Sequence, residues 1–97
     1  MATRSGAKTL GLEQELGSIE IGKRADVIVV DRERIHMSPD RDPYSTLVYA
    51  ARGSDVRTTI VGGDVLVDDF APTRVDVKEV AAEARAAATA LATRAGL

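Results

Sequence analysis

The amino-acid sequence predicts an α+β fold: a small β-sheet, a short N-terminal helix and a longer Ala-rich C-terminal helix. Three observations predict it. Four β-branched residues, Val27, Ile28, Val29 and Val30, stand in a row between turn signals. Two β-rich runs, residues 56–61 and 65–68, are separated by Gly62-Gly63-Asp64. Residues 77–95 carry apolar positions at helical spacing in an Ala-rich background.

Composition sets the frame for these elements. The 97 residues allow one domain at most. A chain of this size buries only about 60% of its unfolded surface, so its core is thin. Aromatic residues are limited to Tyr44, Tyr49 and Phe70, which leaves Val, Ile, Leu and Ala to build that core. Net charge is −2 with both signs interspersed, which argues against a nucleic-acid or anionic-membrane surface. The absence of cysteine excludes a disulfide framework and a thiolate metal site, and no window approaches the apolar length of a membrane span. A cytoplasmic protein is expected.

The elements follow in order. Residues 2–10 form a helix candidate ended by Gly11, with Ala2, Gly6, Ala7 and Leu10 on one small-residue face. Nine residues are too few for a stable isolated helix, so that face needs a partner surface. Gly17 and Gly22 then bracket a short extended piece, and Lys23-Arg24 read as a solvated turn. The run Val27–Val30 follows Ala25-Asp26 and is closed by Asp31; an uninterrupted apolar run of this kind reads as a strand covered on both faces. Residues 32–43, polar and holding Pro39 and Pro43, read as a loop. Asp42 suits an N-cap and Pro43 a first helical position, and Leu47, Val48 and Ala51 share one face of the short helical turn that follows.

Residues 52–55 are a turn. The two β-rich runs then make a hairpin over residues 56–68, closed by the Gly-Gly turn. Residues 69–74, with Pro72, read as a linker. Asp76, with Glu79 three positions on, gives a capping-box-like start to the last helix, and Gly96 ends it. Its stripe Val77, Val80, Ala84, Ala88, Leu91 and Ala95 either packs on the chain's own sheet or presents a face to a partner.

The stretch from Gly17 to Asp31 also carries a resemblance. The pattern G-S-[IL]-E-x-G-K-x-A-D followed by four aliphatic residues and Asp is similar to the segment that amidohydrolase-superfamily enzymes place just after their catalytic barrel. The A-T-x-x-G-A-x-x-L-G-L of residues 2–12 resembles the last helix of that barrel. The D-P-x-x-x-L-V-Y-A of residues 42–50 resembles a piece of the deaminase and chlorohydrolase-like branch, and residues 56–67 fit its closing hairpin. The resemblance covers roughly residues 2–69. It implies that residues 1–16 are a barrel-terminal helix and link, residues 17–75 a segment of a composite β-sandwich domain, and residues 76–97 a C-terminal helix. It implies a metal-dependent hydrolase acting on a carbon–nitrogen or related bond of a small molecule, by deamination or dechlorination of a heterocycle.

Such enzymes hold zinc or another divalent metal with a His-x-His pair, further histidines and an aspartate on barrel strands. This chain has a single histidine, His36, and no cysteine, and one imidazole with scattered carboxylates cannot supply four ligands. The chain is therefore expected to be the C-terminal, structural part of such an enzyme, inactive alone, with no catalytic, cofactor-binding or metal-binding residue of its own. Its expected partners are the barrel and N-terminal strands of the hydrolase. The alternative is a stand-alone, non-enzymatic β-domain module that self-associates as a homo-oligomer through open strand edges or the Ala-rich helix.

Each polar feature has a plain reading beside a chemical one. His36 reads as a solvent-exposed loop residue, because a functional base needs a carboxylate or metal on its other nitrogen and no motif supplies one. Asp26 and Asp31 read as turn caps accepting backbone N–H bonds rather than as cation ligands. Lys23-Arg24 lack any glycine-rich phosphate fingerprint around them, and Gly62-Gly63 belong to the hairpin.

Overall fold

The structure, a computed structural model, describes residues 2–97. Helix α1 spans Arg4–Thr9, β1 Val27–Val30, α2 Pro43–Ser45, β2 Val56–Val61, β3 Asp64–Asp68, β4 Ala71–Pro72 and α3 Val77–Arg94. Helix α2 runs on into a π-helical turn at Thr46–Ala50, and short 3₁₀ turns lie at Ile35–Met37 and Gly53–Asp55. The four strands form one antiparallel sheet in the order β1-β2-β3-β4.

The hairpin sets the register of the sheet. Gly62 and Gly63 take φ of +57° and +88°, the positive-φ pair a two-residue turn requires if it is to match strand twist. Val61 pairs with Asp64 across it, and Ile60 with Val65. On its other side β2 takes up β1, with Val27 opposite Ile60 and Val29 opposite Thr58. The register slips between Val29 and Val30, which leaves Arg57 as the extra residue of a bulge. Its carbonyl accepts the Phe70 N–H at 2.9 Å, so the bulge leaves no unsatisfied acceptor there.

Residues 69–74 are not a plain linker. Asp69 and Phe70, at φ +46° and +67°, turn the chain back so that Ala71–Pro72 pairs with β3 as a fourth strand. Non-glycine residues rarely adopt these angles. Here the Arg34 guanidinium covers the Phe70 ring at 4.9 Å and Arg57 Nε lies 3.3 Å from the Asp69 carboxylate, two contacts that hold the turn.

One expectation about burial is overturned, and one open alternative is decided. Strand β1 is not covered on both faces: Ile28 and Val29 are 58% and 46% exposed, because the sheet is a single layer and β1 is its edge. The stripe of α3 does not pack on the sheet either, since Val77, Val80 and Leu91 are all at least half exposed. Similarly, Leu47 and Val48 face solvent, and the buried residue of that turn is Thr46. Among the described residues only Ala7 and Met37 are buried apolar side chains. The radius of gyration is 18.7 Å, against about 13 Å for a compact chain of this length. The elements are well formed, and no shared core gathers them.

Both helix N-caps read from sequence are present. Asp42 accepts the Ser45 N–H at 3.0 Å with Pro43 at the first helical position. Asp76 accepts the Lys78 and Glu79 N–H groups at 2.8 and 3.2 Å and opens α3.

Candidate functional site

The polar side chains gather between β1 and β2, in the connection of residues 31–55. His36 is not a free loop residue. Its Nε2 lies 2.8 Å from Oδ2 of Asp55, and Asp55 is 2% exposed. The same carboxylate oxygen accepts the Arg52 N–H at 2.7 Å, and the Asp55 carbonyl accepts the Asp31 N–H at 2.8 Å. The bond from His36 holds the Asp55 carboxyl below the usual carboxylate range; burial pushes the other way, and the Arg52 N–H adds to the lowering. A buried carboxylate therefore positions the imidazole, the arrangement that local motifs do not disclose because the partners are 19 residues apart.

A second cluster sits beside it. Arg32 Nε donates to Asp40 Oδ2 at 2.6 Å, and Thr46 Oγ1 donates to Asp40 Oδ1 at 2.7 Å. Arg32 first, and Thr46 second, hold the Asp40 carboxyl low. This places the buried Thr46 hydroxyl on a charged acceptor, so its burial leaves nothing unpaired. Asp42, the α2 cap, is lowered chiefly by the Ser45 hydroxyl.

The residues of the Gly17–Asp31 stretch divide between two ends. Lys23 is not solvated: Nζ donates to the Glu13 carbonyl at 2.6 Å and to Ser18 Oγ at 2.8 Å, and pairs with Glu20 at 2.9 Å. The Ser18 hydroxyl also donates to Glu20, whose carboxyl is lowered by Ser18 and then by Lys23. Asp26 Oδ1 accepts the Gly62 N–H at 2.7 Å and so closes the hairpin turn from 36 residues away. Asp31 accepts the Glu33 N–H at 3.0 Å and pairs with Arg34. Both carboxylates act as turn caps.

Chemically, the His36–Asp55 pair positions the imidazole, and no third group joins it among the described residues. His36 makes no hydrogen bond to a Ser, Thr or Tyr hydroxyl among the described residues. No group of three or more His, Cys, Asp or Glu side chains converges there or elsewhere among the described residues. Zinc takes three or four such ligands, and His36 and Asp55 have no further ligand beside them among the described residues. These residues do not fit a catalytic metal.

Comparison with known proteins gives the setting. The family model described as the Amidohydrolase family matches residues 1–66. The chain is 50% identical over 95 residues to a 5'-deoxyadenosine deaminase of Methanosarcina acetivorans, covering 98% of this chain and 22% of that protein. It is 48% identical over 83 residues to a 5-methylthioadenosine/S-adenosylhomocysteine deaminase of Moorella thermoacetica, covering 86% of the chain and 19% of the relative. Among solved structures, an adenosine deaminase from Xanthomonas campestris with bound zinc superposes with a TM-score of 0.79 at 32% identity, covering 95% of this chain and 21% of that one. The zinc complex of atrazine chlorohydrolase from Arthrobacter aurescens gives 0.72 at 29% identity, covering 89% and 19%. The chain thus spans about a fifth of the length of the relatives it matches.

Proposed function

The chain belongs to the amidohydrolase family, and on that premise we propose that it is the C-terminal, structural part of a metal-dependent hydrolase that deaminates an adenine nucleoside. One observation carries the reading: nearly the whole chain, 98%, matches with half its residues identical a stretch worth 22% of a deaminase. In the complete enzyme, water replaces the amino group of the base and ammonia leaves. The divalent metal, zinc by analogy with the zinc-bound neighbours, is held by the other four fifths, and no residue of this chain takes a catalytic role.

The exposed surfaces give this chain's share of the work. Residues 1–16 belong against the barrel, and residues 17–75 supply one layer of the β-sandwich, whose second layer comes from the N-terminal strands. The rest of the hydrolase would cover the β1 edge and the exposed Ile28 and Val29, which lie on opposite faces of the strand and which a lone sheet leaves open. Residues 76–97 add the terminal helix. The complete enzyme is cytoplasmic. No helix among the described residues is long and apolar enough to cross a membrane.

Complementation tests the reading. The 97-residue chain is co-expressed with the Methanosarcina acetivorans deaminase trimmed of its matching segment, and ammonia release from 5'-deoxyadenosine is followed with zinc supplied. The expected result is no activity from either piece, co-purification of the two, and activity from the pair. Ammonia release by the isolated chain overturns the structural role. Failure of the pieces to associate, together with a homo-oligomer of the chain in light scattering, establishes instead the stand-alone module that self-associates through its open edge.

A further inference from the structure

Helix α1 makes at most slight contact with the sheet. Between them lies an open cleft of about 440 Å³ lined by Gly6, Ala7, Leu10, Gly17, Val27 and Ile28, and Leu10 and Ile28 are 72% and 58% exposed. With Leu10 and Ile28 left this exposed, the segment that joins the two bodies carries much of their relative placement within this chain.

That segment is tied at both ends within four residues. At its first end Lys23 reaches back to the Glu13 carbonyl, Ser18 and Glu20. The Arg24 N–H donates to the Glu15 carbonyl at 2.8 Å. Gly17 lies so close to Ala7 that a Cβ added there would meet the Ala7 Cβ at 2.6 Å, so the link is seated against α1. At its second end the Ala25 carbonyl accepts the Gly63 N–H at 3.1 Å and Asp26 accepts the Gly62 N–H at 2.7 Å, both at the hairpin turn. The Lys23 side chain is only 16% exposed, which shields its charge-assisted bonds from water.

We propose that residues 23–26 form a two-ended strap, with Lys23 as its positioning residue, that fixes the α1 unit relative to the sheet across an unpacked cleft. A flexible tether of the same length would let α1 pivot. Lys23 replaces apolar packing with three acceptors drawn onto one ammonium group, and Asp26 carries the constraint to the turn of the hairpin. The Lys and Asp of the G-K-x-A-D stretch thereby receive complementary tasks, one facing each body. The inference stands on the geometry of this chain and holds whether or not the hydrolase reading does.

The test uses the 97-residue chain, whose lack of cysteine lets two spin labels be placed by T9C and V61C, one on each body. The expected interlabel distance distribution is narrow with Lys23 present and broadens in K23M. Amide exchange at Arg24 rises about tenfold in K23M, as the loss of charge-assisted bonds requires, while Ile60 and Val65 of the hairpin exchange as before. The milder S18A/E20Q variant, which keeps the Lys23 bond to the Glu13 carbonyl, broadens the distribution to an intermediate width and serves as the test should K23M not fold. A distribution already broad with Lys23 present, or one equally narrow in the variants, overturns the proposal.

Discussion

The hairpin and the C-terminal helix are both regular, yet they are held by different things. Strands β2 and β3 are bonded to each other, to β1 on one side and β4 on the other, and their turn is closed by Asp26. Helix α3 is 18 residues long and has no buried residue; what holds it is intrinsic, namely Ala content, the Asp76 cap and Arg94 in its last turn. A helix of this length is marginal in water without a packed face. The lesson is that this chain carries complete local instructions for α3 and no tertiary reason for it. On the proposed reading, that reason is supplied by the rest of the hydrolase.

Amide exchange addresses that contrast most directly. Backbone amides of the β2–β3 pair are expected to be protected at least about a hundredfold more than those of α3, whose opening is local fraying. Equal protection would mean that α3 has found a surface within the chain, and the comparison would collapse. Next in size is Gly17→Ala. At φ +93° and 2.6 Å from the Ala7 Cβ, the added methyl meets both a strained backbone and an occupied space, at about 3 kcal/mol. The urea midpoint should fall for the α1 probes and remain for the hairpin.

A smaller effect comes from acid. The Asp55 carboxyl is depressed below its ordinary 3.8 in the folded chain. Its contribution to stability is therefore fully present above that value and lost as pH falls through the folded one. Melting temperatures of the wild type should drop below about pH 4, and D55N should start lower at neutral pH and respond less to acid. A parallel acid response in D55N would assign the effect to other carboxylates. Smallest is Asp76→Ala, which removes acceptors for two N–H groups and costs about 1 kcal/mol of helix. Far-UV circular dichroism should lose α3 signal with the hairpin untouched, and loss of both together would show the two regions coupled.

How much of this was legible follows one physical line. Gly62-Gly63 between β-rich runs, Asp42-Pro43 and Asp76 announce a turn and two caps through residues adjacent in sequence, and all three stand in the structure. What escaped were ties between residues far apart. His36 finds Asp55 across 19 positions, and Lys23 finds Glu13 across 10; no periodicity encodes either. The fourth strand was hidden for another reason, since Asp69 and Phe70 make a positive-φ turn without the glycine that normally signals one. The exposure of β1 escaped, and the α3 stripe could not be settled, because an apolar run states that a surface is to be covered, not which polypeptide covers it.

The Asp26 bond to Gly62 has a consequence for the order of events in folding. The β2–β3 hairpin closes over two residues and forms locally, on the microsecond scale of such turns. Strand β1 must instead close the connection of residues 31–55 before it earns a single bond to β2, and loop closure of that length is paid before any contact rewards it. The Asp26–Gly62 bond spans 36 residues, so it needs β1 in place beside the hairpin turn. Its energy therefore enters after the barrier to hairpin formation, so that Asp26 governs how fast β1 lets go rather than how fast the hairpin appears.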